Sequence, residues 1–242
     1  MIVAVEIGRK NSIGFPNKNK YKIGDHPMLA YPLMAAEGCK DVDAVFYSTD
    51  DPEQADMAKY YGAEIIERPA HLATKEALGE DVFVHALDWI EEEFNNEIEF
   101  IVTLFASAPC VIFLMMTEMV DMLRKNIEAD SICSVSKYNM FSPYRARKMW
   151  DIWTMPFSEE LLKDKINCDR DSGESTYIYD ISCAVVRPYC LKHLRDGIKP
   201  MRWLGRRVLG YNKYNDIPRC DVDYSWQLGQ IKCWLDKYWK GK

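Results

Sequence analysis

None of the 8 cysteines stands in a Cys-x-x-Cys pair, which removes a structural zinc ribbon and a thioredoxin-type redox motif from the readings. Thiols scattered singly fit a reducing compartment, and each reads as a small buried hydrophobe. The pattern Gly-x-x-x-x-Gly-Lys-Ser/Thr is also missing, so a P-loop is excluded. The opening Met1-Ile2-Val3-Ala4-Val5 carries no basic stretch, long apolar segment or small-residue cleavage site; secretion is therefore not expected, and a cytoplasmic location is. The longest apolar run, residues 100–116, is broken by Thr103, Ser107 and Pro109 and falls short of the roughly 20 residues a spanning helix needs. No membrane partner is expected. An excess of positive charge is lacking too, since 31 basic against 37 acidic side chains leave a net −6, which excludes a nucleic-acid coat. Fixed-period repeats and low-complexity tracts are absent.

What is present is an ordinary globular composition, 48% hydrophobic and 28% charged in 242 residues, enough for a sizeable core and outside the range of intrinsic disorder. Apolar periodicity and punctuation predict strands at 1–7, 44–48, 64–67, 100–105 and 131–136, and helices at 28–37, 52–61, 80–94 and 112–126. Strands alternating with helices at these lengths imply an α/β fold with a mostly parallel sheet covered on both faces. After Lys137 the pattern degrades, so residues 137–180 read as an excursion from the main sheet. A strand-like stretch at 181–186 and a helix at 225–238 close the chain. One domain over residues 1–242, with that excursion, is the expected organisation. Ligands of such sheets sit beyond the carboxyl ends of the strands, which directs attention to the loops after Ile7, Ser48, Phe105 and Ser136.

The first of those loops is unusual. Residues 9–22 hold Arg9, Lys10, Lys18, Lys20 and Lys22 and no acidic side chain, a local charge of +5 in a chain of net −6. Cations and backbone N–H groups after a first strand suit a phosphate chain, although a solvated loop has the same composition. A second constellation, Asp221-Val222-Asp223, puts two carboxylates on one side of an extended segment. A hard divalent cation takes one or two such oxygens together with substrate phosphates; a solvated Asp-x-Asp loop is the alternative.

Arg9, Ser12, Gly14, Pro16, Lys18 and Asn19 fall in register with Arg-x-x-Ser-Lys-Gly-aliphatic-Pro-x-Lys-Asn, and in this the chain resembles the acylneuraminate cytidylyltransferase family. That family activates sialic acids and related 2-keto sugar acids as CMP conjugates. The resemblance continues through Pro27-Met28-Leu29-Ala30-Tyr31, Ser48-Thr49-Asp50-Asp51, Gly62-Ala63-Glu64, Arg68-Pro69-Ala70 with Leu72-Ala73, and Asp81 with His85-Ala86-Leu87, over roughly the first half of the chain. It implies a Rossmann-like three-layer nucleotidyltransferase fold, Mg²⁺ or Mn²⁺ as cofactor, CTP and an acidic sugar as substrates, and a homodimer formed through the excursion.

Carried over residue by residue, the resemblance gives Arg9 and Lys18 to the triphosphate and Arg68 to the cytosine pocket. Gly8, Lys10, Asn11, Ser12, Asn19 and Ser107 would complete the nucleotide site, with Ser12 and Asn19 shaping the loop or bonding nucleotide. Asp221 and Asp223 match the family's Asp-Ile-Asp metal ligands, which makes Arg9, Lys18 and Asp221 the catalytic candidates. The implied chemistry is in-line attack of a sugar-acid hydroxyl on the α-phosphate of CTP, with positioning and charge neutralisation carrying the catalysis.

Departures concentrate elsewhere. Ile13 stands where the family has Lys, with Lys10 as a possible substitute. The family's Gln-Pro-Thr-Ser-Pro-Leu-Arg corresponds to residues 105–111, so Phe105 and Val111 replace Gln and Arg. Ser182 lies in the counterpart of an Asn-Gly-Ala-Ile-Tyr strand. Phe105, Tyr144, Arg145 and Ser182 are therefore the acceptor-side candidates on a divergent acceptor site, since buried polar partners decide specificity. A nucleotidyltransferase using another acceptor (a sugar phosphate or phosphonate) or another nucleotide, and a homologue with weakened catalysis and a regulatory role, remain open alternatives. His85 reads as a packed histidine, and the basic aromatic stretch from Arg202 to Tyr214 as a linker or subunit contact.

Overall fold

The computed structural model describes residues 1–240 apart from Asn11, Ile13, Asn95 and Asp164, and without the Met140 side chain. The expectations placed on Asn11 and Ile13 thus lie outside the described residues.

In chain order the strands are β1 (Ile2–Ile7), β2 (Lys22–Ile23), β3 (His26–Pro27), β4 (Ala44–Thr49), β5 (Glu64–Glu67), β6 (Phe100–Phe105), β7 (Ser131–Lys137), β8 (Arg147–Trp150), β9 (Trp153–Pro156), β10 (Tyr177–Val186) and β11 (Val208–Tyr211). The helices are α1 (Ala30–Glu37), α2 (Pro52–Tyr60), α3 (Gly79–Phe94), α4 (Phe113–Lys125), α5 (Pro188–Lys192) and α6 (Leu228–Tyr238). Seven strands form the main sheet in the order β11-β7-β10-β6-β1-β4-β5. All neighbours pair in parallel except β10, which runs antiparallel to both β6 and β7.

β1 is buried along its whole length because both of its faces are covered, as a central parallel strand requires. Ile2 and Ala4 face a core filled by Leu33 of α1, Met115, Met119 and Leu123 of α4, and Trp234 of α6. Val3, Val5 and Ile7 face Val82, Phe83, Leu87 and Ile90 of α3 and Leu191 of α5. The α3 residues recur at i, i+1, i+5 and i+8, the apolar stripe of an amphipathic helix. Two helical layers around one sheet give the expected three-layer α/β arrangement. Among the described residues, no helix is long and apolar enough to cross a membrane.

The differences from expectation are local. α1 starts at Ala30 rather than residue 28, because His26–Pro27 pairs with Lys22–Ile23 in a small ribbon just before it. Residues 225–227 form a 3-10 turn ahead of α6. The excursion contains an exposed hairpin, β8–β9, and returns to the main sheet at Tyr177, several residues before the strand expected at 181. Val208–Tyr211, inside the expected linker, is an edge strand parallel to β7. Four residues flanked by charge carry too little periodicity to announce themselves.

Candidate active site

The basic loop leaves β1 at Gly8, whose backbone N–H donates to Ser48 O at 3.1 Å. A Cβ here would lie 2.0 Å from Tyr47 Oη and 2.8 Å from Gln54 Oε1, so the crossing needs glycine. Gln54 is the hub beneath the loop. Its Oε1 accepts from Tyr47 Oη at 2.7 Å and from Asn19 Nδ2 at 3.0 Å, and its Nε2 donates to Arg9 O at 3.2 Å. Asn19 is buried and therefore shapes the loop from within. The Lys10 backbone N–H is held by Asp50 Oδ1 at 2.8 Å. Asp51 caps α2 through Glu53 N at 3.1 Å. Burial pushes its carboxyl pKa up, but hydrogen bonds from Gln54 and Glu53 and the nearby Lys20 charge outweigh that and hold it below the usual range.

The far end of the loop meets the chain's other candidate segment. At Gly14, a Cβ would fall 2.6 Å from Asp223 O. Lys18 Nζ lies 3.0 Å from Asp223 Oδ1 and 3.7 Å from Asp221 Oδ1, a cation between two carboxylates about 200 residues away in sequence. Asp221 Oδ1 is buried without a hydrogen-bond partner. Burial pushes the Asp221 carboxyl pKa up, and the Lys18 charge pulls it back only in part. Among the described residues no three His, Cys, Asp or Glu side chains cluster as a protein-only metal cage. The donor set is two carboxylates, one with an oxygen short of partners, and Lys18 already shows that the pair accepts a positive charge. That suits Mg²⁺ or Mn²⁺, which keep open positions for waters and phosphates.

Between these segments runs a cleft of about 340 Å³ lined by Gly8, Arg9, Ser12, Lys18, Asn19, Arg68, Phe105, Ser107 and Asp223. Arg9 Nη1 donates to Thr74 O at 2.9 Å, tying two residues of the cleft lining together. Arg68 is buried rather than a surface ion-pairing residue: its Nη2 donates to Ser48 O at 2.6 Å and its Nε lacks a partner. Burial lowers the Arg68 pKa, and the guanidinium brings a planar positive charge to the wall of the cleft. Phe105 packs edge-on against Phe83, centroids 5.4 Å apart, and makes the inner wall apolar.

Other candidates stand apart. Lys10 does not line the cleft. Tyr144 and Arg145 line a separate groove of about 580 Å³ in the excursion, where Arg145 Nη2 donates to Cys168 O at 2.7 Å. Ser182 is fully buried in β10 with its Oγ unpartnered. Val111 is core, not cleft. His85 is half-buried on α3, where burial lowers its pKa. Sequence reasoning missed Thr74, Lys75 and Ala77, which wall the cleft from a loop that carries no motif, and Gln54, an unremarkable glutamine on a helix.

A cation-lined cleft with a carboxylate pair at its rim has the chemistry of a site for a polyphosphate and a divalent metal. CMP-N,N'-diacetyllegionaminic acid synthase of Campylobacter jejuni is 38% identical over 109 residues, 45% of this chain and 46% of that protein. N-acylneuraminate cytidylyltransferase of Oncorhynchus mykiss is 27% identical over 237 residues, 95% of this chain and 49% of that protein. The chain thus spans about half the length of these curated relatives. The solved structure of CMP:2-keto-3-deoxy-manno-octonic acid synthetase complexed with CTP superposes with a TM-score of 0.67 at 13% identity, covering 98% of both chains, a likeness of fold. The Cytidylyltransferase family model matches residues 7–165, more than half of the chain, and the chain belongs to that family.

Proposed function

We propose that this protein transfers CMP from CTP to the hydroxyl of an acidic, sialic acid-like or other 2-keto sugar, releasing pyrophosphate with the help of Mg²⁺ or Mn²⁺. The observation that carries this reading is the meeting of Lys18 with Asp221 and Asp223 at the rim of a cleft lined by Arg9 and Arg68. The relatives' own names, CMP-legionaminic acid synthase and N-acylneuraminate cytidylyltransferase, support the donor and the class of acceptor.

In this reading Arg9 and Lys18 neutralise the triphosphate and orient it for in-line displacement. Arg68 lines the part of the cleft given to the base, and the hydrogen bonds from Gln54 to Asn19 and Arg9 O keep the loop in shape while the nucleotide enters. The acceptor oxygen forms a bond to the α-phosphorus, the bond to the β-phosphate oxygen breaks, the hydroxyl proton passes to solvent and pyrophosphate leaves. Asp221 and Asp223 hold the metal, which when bound supplies Lewis-acid stabilisation of phosphate charge. The apolar Phe105 wall favours an acceptor with an apolar substituent over one that needs a polar side chain there. Incubation with CTP, Mg²⁺ and a panel of 2-keto sugar acids is expected to release pyrophosphate with at least one of them. Failure to bind either CTP or metal would sink the proposal. Turnover confined to sugar phosphates would transfer it to the alternative acceptor class, and turnover by the unaltered chain eliminates a purely regulatory role motivated by Ile13.

The same reading includes a homodimer. Met149, Trp150, Ile152 and Trp153 are all more than two-thirds exposed on the β8–β9 hairpin, an apolar tip of the kind that marks an interaction surface. A second copy covering this hairpin is the occupant we propose. Trp150→Ser with Trp153→Ser is expected to convert a dimer to a monomer in light scattering after size exclusion, with circular dichroism unchanged. A dimer that survives both changes rules the hairpin out.

A further inference from the structure

A buried ion pair that the proposed chemistry does not use lies two residues before the carboxylate pair. Arg219 and Asp180 have no exposed side-chain surface, and Arg219 Nε lies 3.1 Å from Asp180 Oδ2. Arg219 Nη1 donates to Lys213 O at 2.7 Å and Tyr214 O at 3.0 Å, and Nη2 donates to Val135 O at 3.1 Å. Asp180 in turn accepts from Ser134 Oγ, from Ser136 Oγ at 2.7 Å and from Ser182 N at 3.1 Å. Such a pair is weak evidence for stability, because desolvation offsets the attraction. What it supplies is a fixed place for Arg219.

Three observations connect that place to the site. First, the Arg219 backbone is held at both ends: its N–H donates to Ser136 Oγ at 2.9 Å and its carbonyl accepts from Tyr138 Oη at 2.9 Å. Second, Val222 is buried and its N–H donates to Ser107 O at 2.9 Å, while Gln227 Nε2 donates to Asp221 O at 3.1 Å and Gln227 Oε1 accepts from Asp223 N at 2.8 Å. Asp221 and Asp223 are therefore strung between anchors at 219, 222 and 227. Third, Asp180 reaches its position through an irregularity in β10. Tyr179 pairs with Val135 and Ala184 with Cys133, so residues 180–183 stand against Ser134 alone, and Ile181 takes φ 50°, a conformation that is a genuine outlier for a β-branched residue. A strained bulge kept in the middle of a sheet points to a demand made by function.

We infer that Arg219 and Asp180 are positioning residues that set the spacing of the Asp221 and Asp223 carboxylates and thereby the metal affinity of the site. The inference rests on the reading of those two carboxylates as metal ligands. Partners that orient metal ligands typically change metal affinity by about 10–100-fold when removed.

The test uses the full chain with Arg219→Lys, Ser136→Ala and the paired change Asp180→Leu with Arg219→Met. The paired change leaves no unmatched buried charge, whereas Asp180→Asn alone would strand Arg219. Mn²⁺ binding is followed by the electron paramagnetic resonance signal of free Mn²⁺, CTP binding without metal by calorimetry, and folding by thermal denaturation. The expected result is Mn²⁺ affinity at least tenfold weaker in Arg219→Lys and in the paired variant, and several-fold weaker in Ser136→Ala, with metal-free CTP affinity within about twofold of the unaltered protein. Wild-type Mn²⁺ affinity in the folded paired variant and in Ser136→Ala overturns the positioning role alone. Asp223→Asn that binds Mn²⁺ as the unaltered protein does, or an unaltered protein without saturable Mn²⁺ binding, overturns the metal reading and the inference with it.

Discussion

Asp223→Asn or Asp221→Asn is expected to lower kcat by about 10²–10³-fold, the scale of a few kcal/mol of transition-state charge stabilisation, while CTP binds as well as before or better in the absence of metal. The two effects separate because each carboxylate plays against Lys18. Lys18 Nζ sits 3.0 Å from Asp223 Oδ1, so the substitution removes a negative charge from the rim and frees the ammonium for phosphate. A cleft lined by Arg9, Lys18 and Arg68 then becomes more positive, and binding of a triphosphate is retained. A variant that had merely lost its fold would lose both properties. Steady-state kinetics across Mg²⁺ concentrations, set beside CTP calorimetry, measures both. Unchanged kcat with weakened CTP binding would place the carboxylates in nucleotide recognition and not in metal binding.

The second large effect concerns stability. Glu6 lies in the middle of the sheet with no exposed surface, and neither of its carboxylate oxygens has a hydrogen-bond partner. Burial holds its pKa well above the ordinary value of 4.5. From that ordinary value upwards, toward the raised one, the folded protein keeps a proton that the unfolded chain has released. Stability is therefore fully present below the unfolded pKa and falls as pH rises through this window. Glu6→Gln removes the titration at nearly constant shape. It is expected to stabilise the protein by about 1–3 kcal/mol at pH 8, where the buried carboxyl must hold a proton or a charge that costs free energy and the amide need do neither, and to be close to neutral at pH 4. Denaturant midpoints of the two proteins at both pH values check this. A difference that does not change with pH would show that the Glu6 carboxyl has found a partner.

Glu6 also shows where sequence reading stops. Ile2 to Ile7 is legible as a buried strand because β-branched residues dominate it and Gly8 ends it, yet a single acid in such a run says nothing of its surroundings. The sheet of alternating strands and helices was readable because each element is long enough to show its period. The parallel pairing of β1 with β4 and β6 follows from that alternation. β11 and the β8–β9 hairpin were not, being four residues per strand and, for the hairpin, exposed on every side chain but Pro156.

In the site, local charge and spacing drew attention to the loop of Arg9 and Lys18 and to Asp223, the family resemblance gave these residues their roles, and they meet at one cleft. The acceptor side could not be read in the same way. Tyr144 and Arg145 line a groove of the excursion, and Ser182 is enclosed in β10, because their places depend on how residues 138–176 return to the sheet. Arg219 was invisible for a related reason. Its partner Asp180 is on another strand, and it reaches Arg219 through a bulge that no local pattern encodes.

The most direct test follows the phosphates. CTP labelled at the α-phosphate and CTP labelled at the γ-phosphate are each incubated with the protein, Mg²⁺ and a 2-keto sugar acid. The α-label is expected in a CMP–sugar conjugate and the γ-label in pyrophosphate. Release of the γ-label as orthophosphate, or an α-label that never leaves the nucleotide pool with any acceptor, would contradict CMP transfer.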